Sequence, residues 1–221
     1  MRNAVIIVAG GTGSRMKADG PKQFALLHDK PVIVYAIEKF LQFDPGIEII
    51  VALRSEFVME FEAIAKNFKL PGITIANGGE TRFHSVKNAL EKISRGAEMI
   101  AVHDAARPLV SLRAIQNTFS AAEKSGAAIP VVDVNESLRE VDSFGSKAVN
   151  RKDYRIVQTP QCFNRGILIE AYTQSYIAQF TDDATVVESA GHKIHLTEGN
   201  VENIKITYPQ DLILAASLLH E

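Results

Sequence analysis

Apolar residues follow two alternating rhythms along the chain, and together they predict an α/β fold. Short, nearly unbroken apolar runs at Ala4–Ala9, Glu48–Leu53, Ile73–Ala76, Met99–Val102 and Ala127–Val132 read as strands, the first two and their like buried on both faces as in a parallel sheet. Stretches with helical spacing lie between them. Pro31–Phe43 carries its proline in the first turn, Ser55 caps the next helix, Phe83–Ile93 follows, and Leu112–Lys124 is closed by Gly126. This alternation predicts a mostly parallel central sheet with helices on both faces.

The rhythm changes between Asn135 and Tyr154. Leu138–Val141 and Lys147–Val149 flank a turn at Asp142–Ser146 that contains Gly145, a hairpin signature. The hairpin is polar on both sides and too poor in apolar residues to anchor itself, so it reads as a mobile flap or an arm that packs on another subunit. The α/β rhythm then resumes with a long helix over Arg165–Gln179 and a second one opened by Thr181-Asp182-Asp183. Strands follow at Lys193–Leu196 and Asn203–Thr207, and a closing helix starts near Pro209. Without repeats or low-complexity segments, residues 1–221 are expected to form one domain with a β-arm at about 135–154.

Composition adds mainly exclusions. With 46% hydrophobic residues, 23% charged and a net charge of −2, the chain has no basic surface for nucleic acid. No apolar stretch approaches the ~18 residues of a membrane span, and Ala4–Ala9 is too short for a secretory signal. Cys162 stands alone, which fits a reducing cytoplasm.

The opening run ends in Gly10-Gly11-Thr12-Gly13-Ser14-Arg15, and Lys22 follows Arg15 by seven positions. Glycines after a buried strand let backbone N–H groups approach a ligand closely, and the two cations suggest an anion. A Walker loop would need its second glycine at Arg15, Met16 or Ala18, and a dinucleotide fingerprint would need a glycine or alanine at Met16. Both fail. The remaining pattern is that of sugar-nucleotide pyrophosphorylases and cytidylyltransferases, with a Gly-rich turn bearing two solvated cations as the plainer reading. Three further clusters fall at expected strand ends, where parallel sheets collect ligands: Gly78–Arg82 with Ser85, His103–Pro108, and Asn203-Ile204-Lys205.

In order, the segments AGGTGSRM, PKQF, GGETRFHSV, VHDAARP, QTPQCF, TDDATVVE and ENIKITYPQDL resemble the 2-C-methyl-D-erythritol 4-phosphate cytidylyltransferase family across essentially the whole chain. The resemblance implies a Rossmann-like nucleotidyltransferase fold and cytidylyl transfer from CTP to a sugar-alcohol phosphate. It implies Mg²⁺ carried mostly by the triphosphate, with Asp104 as a candidate ligand, and a homodimer joined through the arm. By the same resemblance Arg15, Lys22, Arg151 and Lys205 are the catalytic cations, Arg151 being lent across the dimer. Ala9, Gly10, Gly11, Gly13, Gly79, Glu80, Ser85, Asp104 and Ala105 surround the nucleotide. Asp104, Arg107, Ser137, Arg151, Thr159 and Lys205 serve the acceptor, and Asp182-Asp183 line its pocket or cap a helix. Two departures stand out: Glu80 replaces an acid that is often Asp, and Glu136-Ser137-Leu138-Arg139 stands where the family usually shows Asp-Thr-aliphatic-Lys.

Plainer readings stand beside these. Lys205 and Arg151 read alone as solvated cations, Asp104 and Arg107 as an internal ion pair, and His103 as a structural hydrogen-bonder. His192 and His195, three apart on an expected strand, face opposite ways and share no metal. Cys162 reads as a packing residue. At the level of function, a CDP-ribitol synthase, an idle nucleotide-sensing domain and a nicotinamide-binding domain remain as alternatives.

Overall fold

The computed structural model describes residues 2–11 and 21–219. Strand β1 (Asn3–Val8) leads to a small hairpin, β2 (Leu26–Leu27) and β3 (Lys30–Pro31), and then to helix α1 (Val32–Phe43). Next come β4 (Glu48–Leu53), α2 (Val58–Asn67), β5 (Ile73–Asn77), α3 (Arg82–Leu90), β6 (Met99–Asp104), α4 (Leu112–Ser125) and β7 (Ala127–Asp133). The arm is β8 (Arg139–Asp142) and β9 (Gly145–Ala148). The chain closes with β10 (Arg155–Val157), β11 (Gln161–Asn164), α5 (Arg165–Ala171), α6 (Asp183–Ser189), β12 (His195–Glu198) and α7 (Pro209–Leu218).

One sheet runs in the order β10-β7-β11-β6-β1-β4-β5, with β12 added beside β7. β1 pairs in parallel with both β4 and β6, which puts it at the centre. Its unbroken apolar sequence follows from that position. Val5 and Ile7 pack into a core shared with α1 and α4, Ala4 and Ile6 into another shared with α3, α5 and α6, and all four are fully buried. β4 divides the same way, with Ile49, Val51 and Leu53 on one side and Ile50 and Ala52 on the other.

Several expectations hold residue by residue. Ser111 caps α4 by accepting from the Ala114 N–H, and Gly126 ends it in the left-handed region at φ 86°. The hairpin arm forms its own two-stranded sheet, with every residue of β8 and β9 exposed. Among the described residues no helix is long and apolar enough to cross a membrane.

Other expectations need correction. The long helix over 165–179 stops at Ala171, because Tyr172 and Phe180 turn inward to stack on Phe83 at 4.8 and 5.6 Å between centroids. The Thr173 hydroxyl and Gln174 amide then bond the Glu170 and Ala171 carbonyls, which closes the helix. Ser55 opens a 3₁₀ turn (Ser55–Phe57) before α2 and makes no side-chain cap. Residues 203–207 form no strand. Side-chain bonds to Asn203 and one backbone bond from Ile206 N–H to the Ala106 carbonyl (2.8 Å) hold that segment instead. The strand expected at Lys193–Leu196 begins only at His195; His192 lies in the segment before it, 3.6 Å from the Glu170 carboxylate. Two short antiparallel strands, β10 and β11, lie outside the expected set; β11 sits between β6 and β7 and bonds both.

Candidate active site

The carboxyl ends of β1, β4, β5 and β6 open on a cleft of about 770 Å³. Each strand delivers one wall. β1 runs out into Gly10 and Gly11, and its exit is clamped on both sides: Ala9 N–H donates to the Ala52 carbonyl (2.9 Å) and the buried Gln23 amide donates to the Ala9 carbonyl (2.8 Å). Gln23 thus gives a structural reason for the PKQF segment. Gly13 and Arg15 lie outside the described residues.

β5 delivers the loop of Gly78, Gly79 and Glu80, which ends at Thr81, the N-cap of α3. Gly78 N–H donates to the Leu53 carbonyl at 2.7 Å, pulling the loop against β4. Ser85 accepts from Gly79 N–H (3.0 Å) and donates to the Thr81 carbonyl (2.9 Å), so its hydroxyl sets the loop's shape. A Cβ on Gly79 would lie 2.3 Å from the His84 Cβ, so only glycine fits. Gly79→Ala is therefore expected to push the loop outward. Overpacking of this kind costs ~1–3 kcal/mol, or roughly 2–12 °C in Tm for a domain of this size. Thermal unfolding checks the stability.

β6 delivers Asp104, whose carboxylate is the electrostatic centre. Lys205 Nζ donates to Oδ2 at 2.7 Å, Arg82 Nε lies 3.5 Å from Oδ1, and Arg107 Nε lies 3.9 Å from Oδ2. Burial alone would raise the Asp104 pKa, but Arg82, Lys205 and Arg107 more than reverse it and hold the carboxyl well below the usual range. Arg82 is in turn bound to buried Asp183 at 2.6 Å, and that carboxylate also accepts from the Tyr172 hydroxyl at 2.7 Å. Burial opposes the charge on Arg82, yet Asp183 and Asp104 raise its pKa overall.

Behind Asp104 runs a chain of hydrogen bonds. Asp104 N–H donates to Thr159 Oγ1 (3.1 Å), which faces His103 Nδ1 (3.0 Å), while His103 Nε2 faces the Arg107 carbonyl (3.1 Å). A carbonyl only accepts, so Nε2 carries the ring proton and Nδ1 accepts from Thr159. Burial pushes the His103 pKa down to about 4, which keeps the ring neutral. Its folded value is thus below the ordinary 6.5. The stability it contributes is complete above about pH 6.5 and is lost as pH falls towards about 4, because the unfolded chain takes up the proton first. The Tm measured across this window should fall in the native chain and less steeply in His103→Gln.

Lys22 and Lys205 face the same cleft, and Lys22 Nζ donates to the carbonyl of Ile206, the neighbour of Lys205, at 3.1 Å. Glu80, Ser85 and Asp104 line it as well, whereas Ala9, Ala105, Arg107 and Thr159 lie behind its walls. Ala105 N–H donates to the Val8 carbonyl at 3.1 Å. Arg107 donates to the carbonyls of Asn203 (2.7 Å) and Val157 (3.4 Å), tying the segment that bears Lys205. Asp182 caps α6, and its partner Asp183 is the buried anchor of Arg82. Ser137 and Arg151 are exposed at the base of the arm and do not line the cleft; Arg151 donates to the Asn135 carbonyl.

Two lining cations have no individual role in the sequence reading, Arg82 being named only as part of the Gly78–Arg82 cluster and Arg54 not at all. Arg82 sits inside the GGETR segment, and Arg54 directly follows β4, paired with Glu56 at 3.1 Å. Their signal is positional, since both follow strands whose carboxyl ends face the glycine loop. Among the described residues no group of three or more His, Cys, Asp or Glu forms a metal cage.

A family model described as 2-C-methyl-D-erythritol 4-phosphate cytidylyltransferase (IspD) matches residues 3–221. A curated enzyme of that name from Bacteroides thetaiotaomicron is 45% identical over 221 residues, covering 99% of this chain and 100% of the relative. One from Phocaeicola vulgatus is 46% identical over 220 residues, covering 99% and 100%. The crystal structure of 2-C-methyl-D-erythritol 4-phosphate cytidylyltransferase from Thermus thermophilus superposes with a TM-score of 0.80 at 32% identity, with 100% of both chains covered.

Proposed function

The chain belongs to the 2-C-methyl-D-erythritol 4-phosphate cytidylyltransferase family, and on that premise we propose how its cleft carries out the family's reaction. The enzyme is a CTP-dependent cytidylyltransferase of non-mevalonate isoprenoid biosynthesis. It joins CTP and 2-C-methyl-D-erythritol 4-phosphate to give 4-diphosphocytidyl-2-C-methyl-D-erythritol and pyrophosphate. Family membership over the whole chain disfavours the ribitol phosphate, idle-sensor and nicotinamide readings.

A phosphate oxygen of the acceptor attacks the α-phosphorus of CTP, and the bond to the bridging oxygen of pyrophosphate breaks in line. The attacking oxygen is already anionic, so no proton needs to be removed. The protein must hold two polyanions together and neutralise the five-coordinate phosphorus. The observation that carries this assignment is that Lys22 and Lys205 meet on one wall of the cleft floored by Gly10, Gly11 and Gly79. Arg15, outside the described residues, is assigned the same role by the family resemblance alone. Gly79, Glu80 and the loop held by Ser85 take the cytidine, and Ala9 and Ala105 fix the strand ends beneath it. Thr159 and Arg107 act from behind, placing Asp104 and the segment that carries Lys205.

The donor set suits a cation that arrives on the nucleotide, because both Asp104 oxygens already face cations and no carboxylate cage surrounds them among the described residues. A bound Mg²⁺ would neutralise triphosphate charge, and Asp104 is the carboxylate that would hold it. Ser137 and Arg151 stand on the arm, and we place them in the site of a second copy. Val141 and Phe144 on the arm are 74% and 98% exposed, apolar surface that a homodimer would cover. The cytoplasm is the proposed setting, in keeping with the lone, buried thiol of Cys162.

The test is pyrophosphate release with CTP, comparing methylerythritol 4-phosphate with ribitol 5-phosphate. Turnover with the first, dependent on a divalent cation, is the expected result. Turnover with ribitol 5-phosphate alone, or none with either acceptor, overturns the assignment.

A further inference from the structure

Lys205 has two claims on it. Its ammonium is paired with Asp104 at 2.7 Å. The reaction requires that same ammonium to face phosphate. Breaking a partly buried pair is costly because it strands a charge; Asp104 is only 8% exposed and stays ionised. A lysine whose departure left a bare carboxylate would be held back from the substrate.

Arg82 bears on that cost. Its Nε lies 3.5 Å from the other oxygen of Asp104, Oδ1, so the two cations approach the carboxylate on separate atoms. Its Nη2 is fixed on Asp183, which is fully buried and held in turn by Tyr172. The planar guanidinium is pre-organised to serve two acceptors at once, unlike the flexible ammonium on the other side of Asp104. One partner of Asp104 is therefore anchored, whereas Lys205 is 42% exposed at its side chain and able to turn.

We propose that Arg82 is a positioning residue that keeps Asp104 neutralised and in place while Lys205 turns from Asp104 to the substrate phosphates. This rests on the assignment of Lys205 as a phosphate-facing cation. Arg82 then acts on the reaction through Asp104, and its contribution vanishes when Asp104 carries no charge. That dependence separates it from a merely structural arginine.

The experiment is a double-mutant cycle on the full-length chain: native, Arg82→Gln, Asp104→Asn, and both together. CTP affinity is read by isothermal titration calorimetry without acceptor, and kcat and KM by pyrophosphate release. Arg82→Gln alone should weaken CTP binding by about 10-fold or more, the loss expected when a buried charge pair is left a partner short. In the Asp104→Asn background the same change should cost less than about 3-fold, since the amide needs no counter-charge. Arg82→Lys should recover part of the loss. Equal losses in both backgrounds, or no loss in the native one, overturn the proposal. If Arg82→Gln fails to fold because Asp183 is left unpaired, the cycle is run in an Asp183→Asn background, where that charge is absent. A native chain that binds CTP but releases no pyrophosphate with either acceptor would refute the transferase assignment instead, while the binding cycle still decides the role of Arg82.

Discussion

Lys205→Ala is expected to lower kcat by about 10²–10³-fold, the usual loss when one preorganised charge is removed from a developing transition state. The stability of the protein should barely change. Lys205 is 42% exposed at its side chain, and Asp104 keeps Arg82 at 3.5 Å as a remaining partner. Because Arg82 remains, the carboxylate is not stranded, and the large cost of breaking a buried pair does not arise. The two readouts together make the test sharp: turnover collapses while the melting temperature holds. Lys205→Arg is not expected to rescue fully, because the longer, planar guanidinium presents its donors in a fixed fork, whereas the ammonium is a compact point charge. A large drop in Tm with only modest loss of turnover would make Lys205 a structural residue and shift the chemistry to Lys22 and Arg15.

Asp183→Ala should have the opposite signature in stability. Its carboxylate is fully buried and accepts from Arg82 at 2.6 Å and Tyr172 at 2.7 Å. Removing one partner of a buried pair costs ~3–5 kcal/mol. For a chain of this length that is a fall of roughly 6–20 °C in Tm. The damage should spread beyond the pair, since Tyr172 belongs to the stack on Phe83 that ends α5 and Asp183 opens α6. Asp183→Asn keeps the shape and an acceptor for Tyr172, so its loss should be smaller. Chemical denaturation of the three proteins, compared at equal slope, measures the difference.

The parts of this fold that can be read from sequence are those where one physical demand dominates. β1, β4 and β6 are buried on both faces, so their sequences admit little besides apolar residues, and the runs announce themselves. Ser111 and Gly126 bracket α4 because caps need those residue types. β11 is hidden because Gln161 looks like a surface residue. It is fully buried, donating to Asp182 at 2.8 Å and accepting from the Ala184 N–H at 2.9 Å, a partnership across 21 to 23 positions that no local pattern encodes. Asn203–Thr207 fails in the other direction. Its alternation imitates a strand, yet Asn203 spends its amide on the Thr159 carbonyl, and Arg107 takes the Asn203 carbonyl.

The site divides the same way. Lys22, Asp104, Gly79 and Lys205 are visible as members of named segments, and they meet in the cleft. Ser85 is visible too, although its hydroxyl shapes the loop that the nucleotide would meet. Arg82 and Arg54 are given no role of their own, because an arginine at the start of a helix or just past a strand is ordinary until the strands around it are placed.

The central position of β1 also governs how the chain can be made. Its two neighbours in the sheet, β4 and β6, lie at residues 48–53 and 99–104, both downstream. During synthesis the amino-terminal strand therefore emerges with both edges and both faces uncovered, and it stays half-covered until Asp104 has appeared. An apolar β-branched segment held open this long is a template for pairing with other nascent chains. Chains truncated before β6 should accordingly aggregate, which expression of nested truncations and sedimentation of the lysate would show.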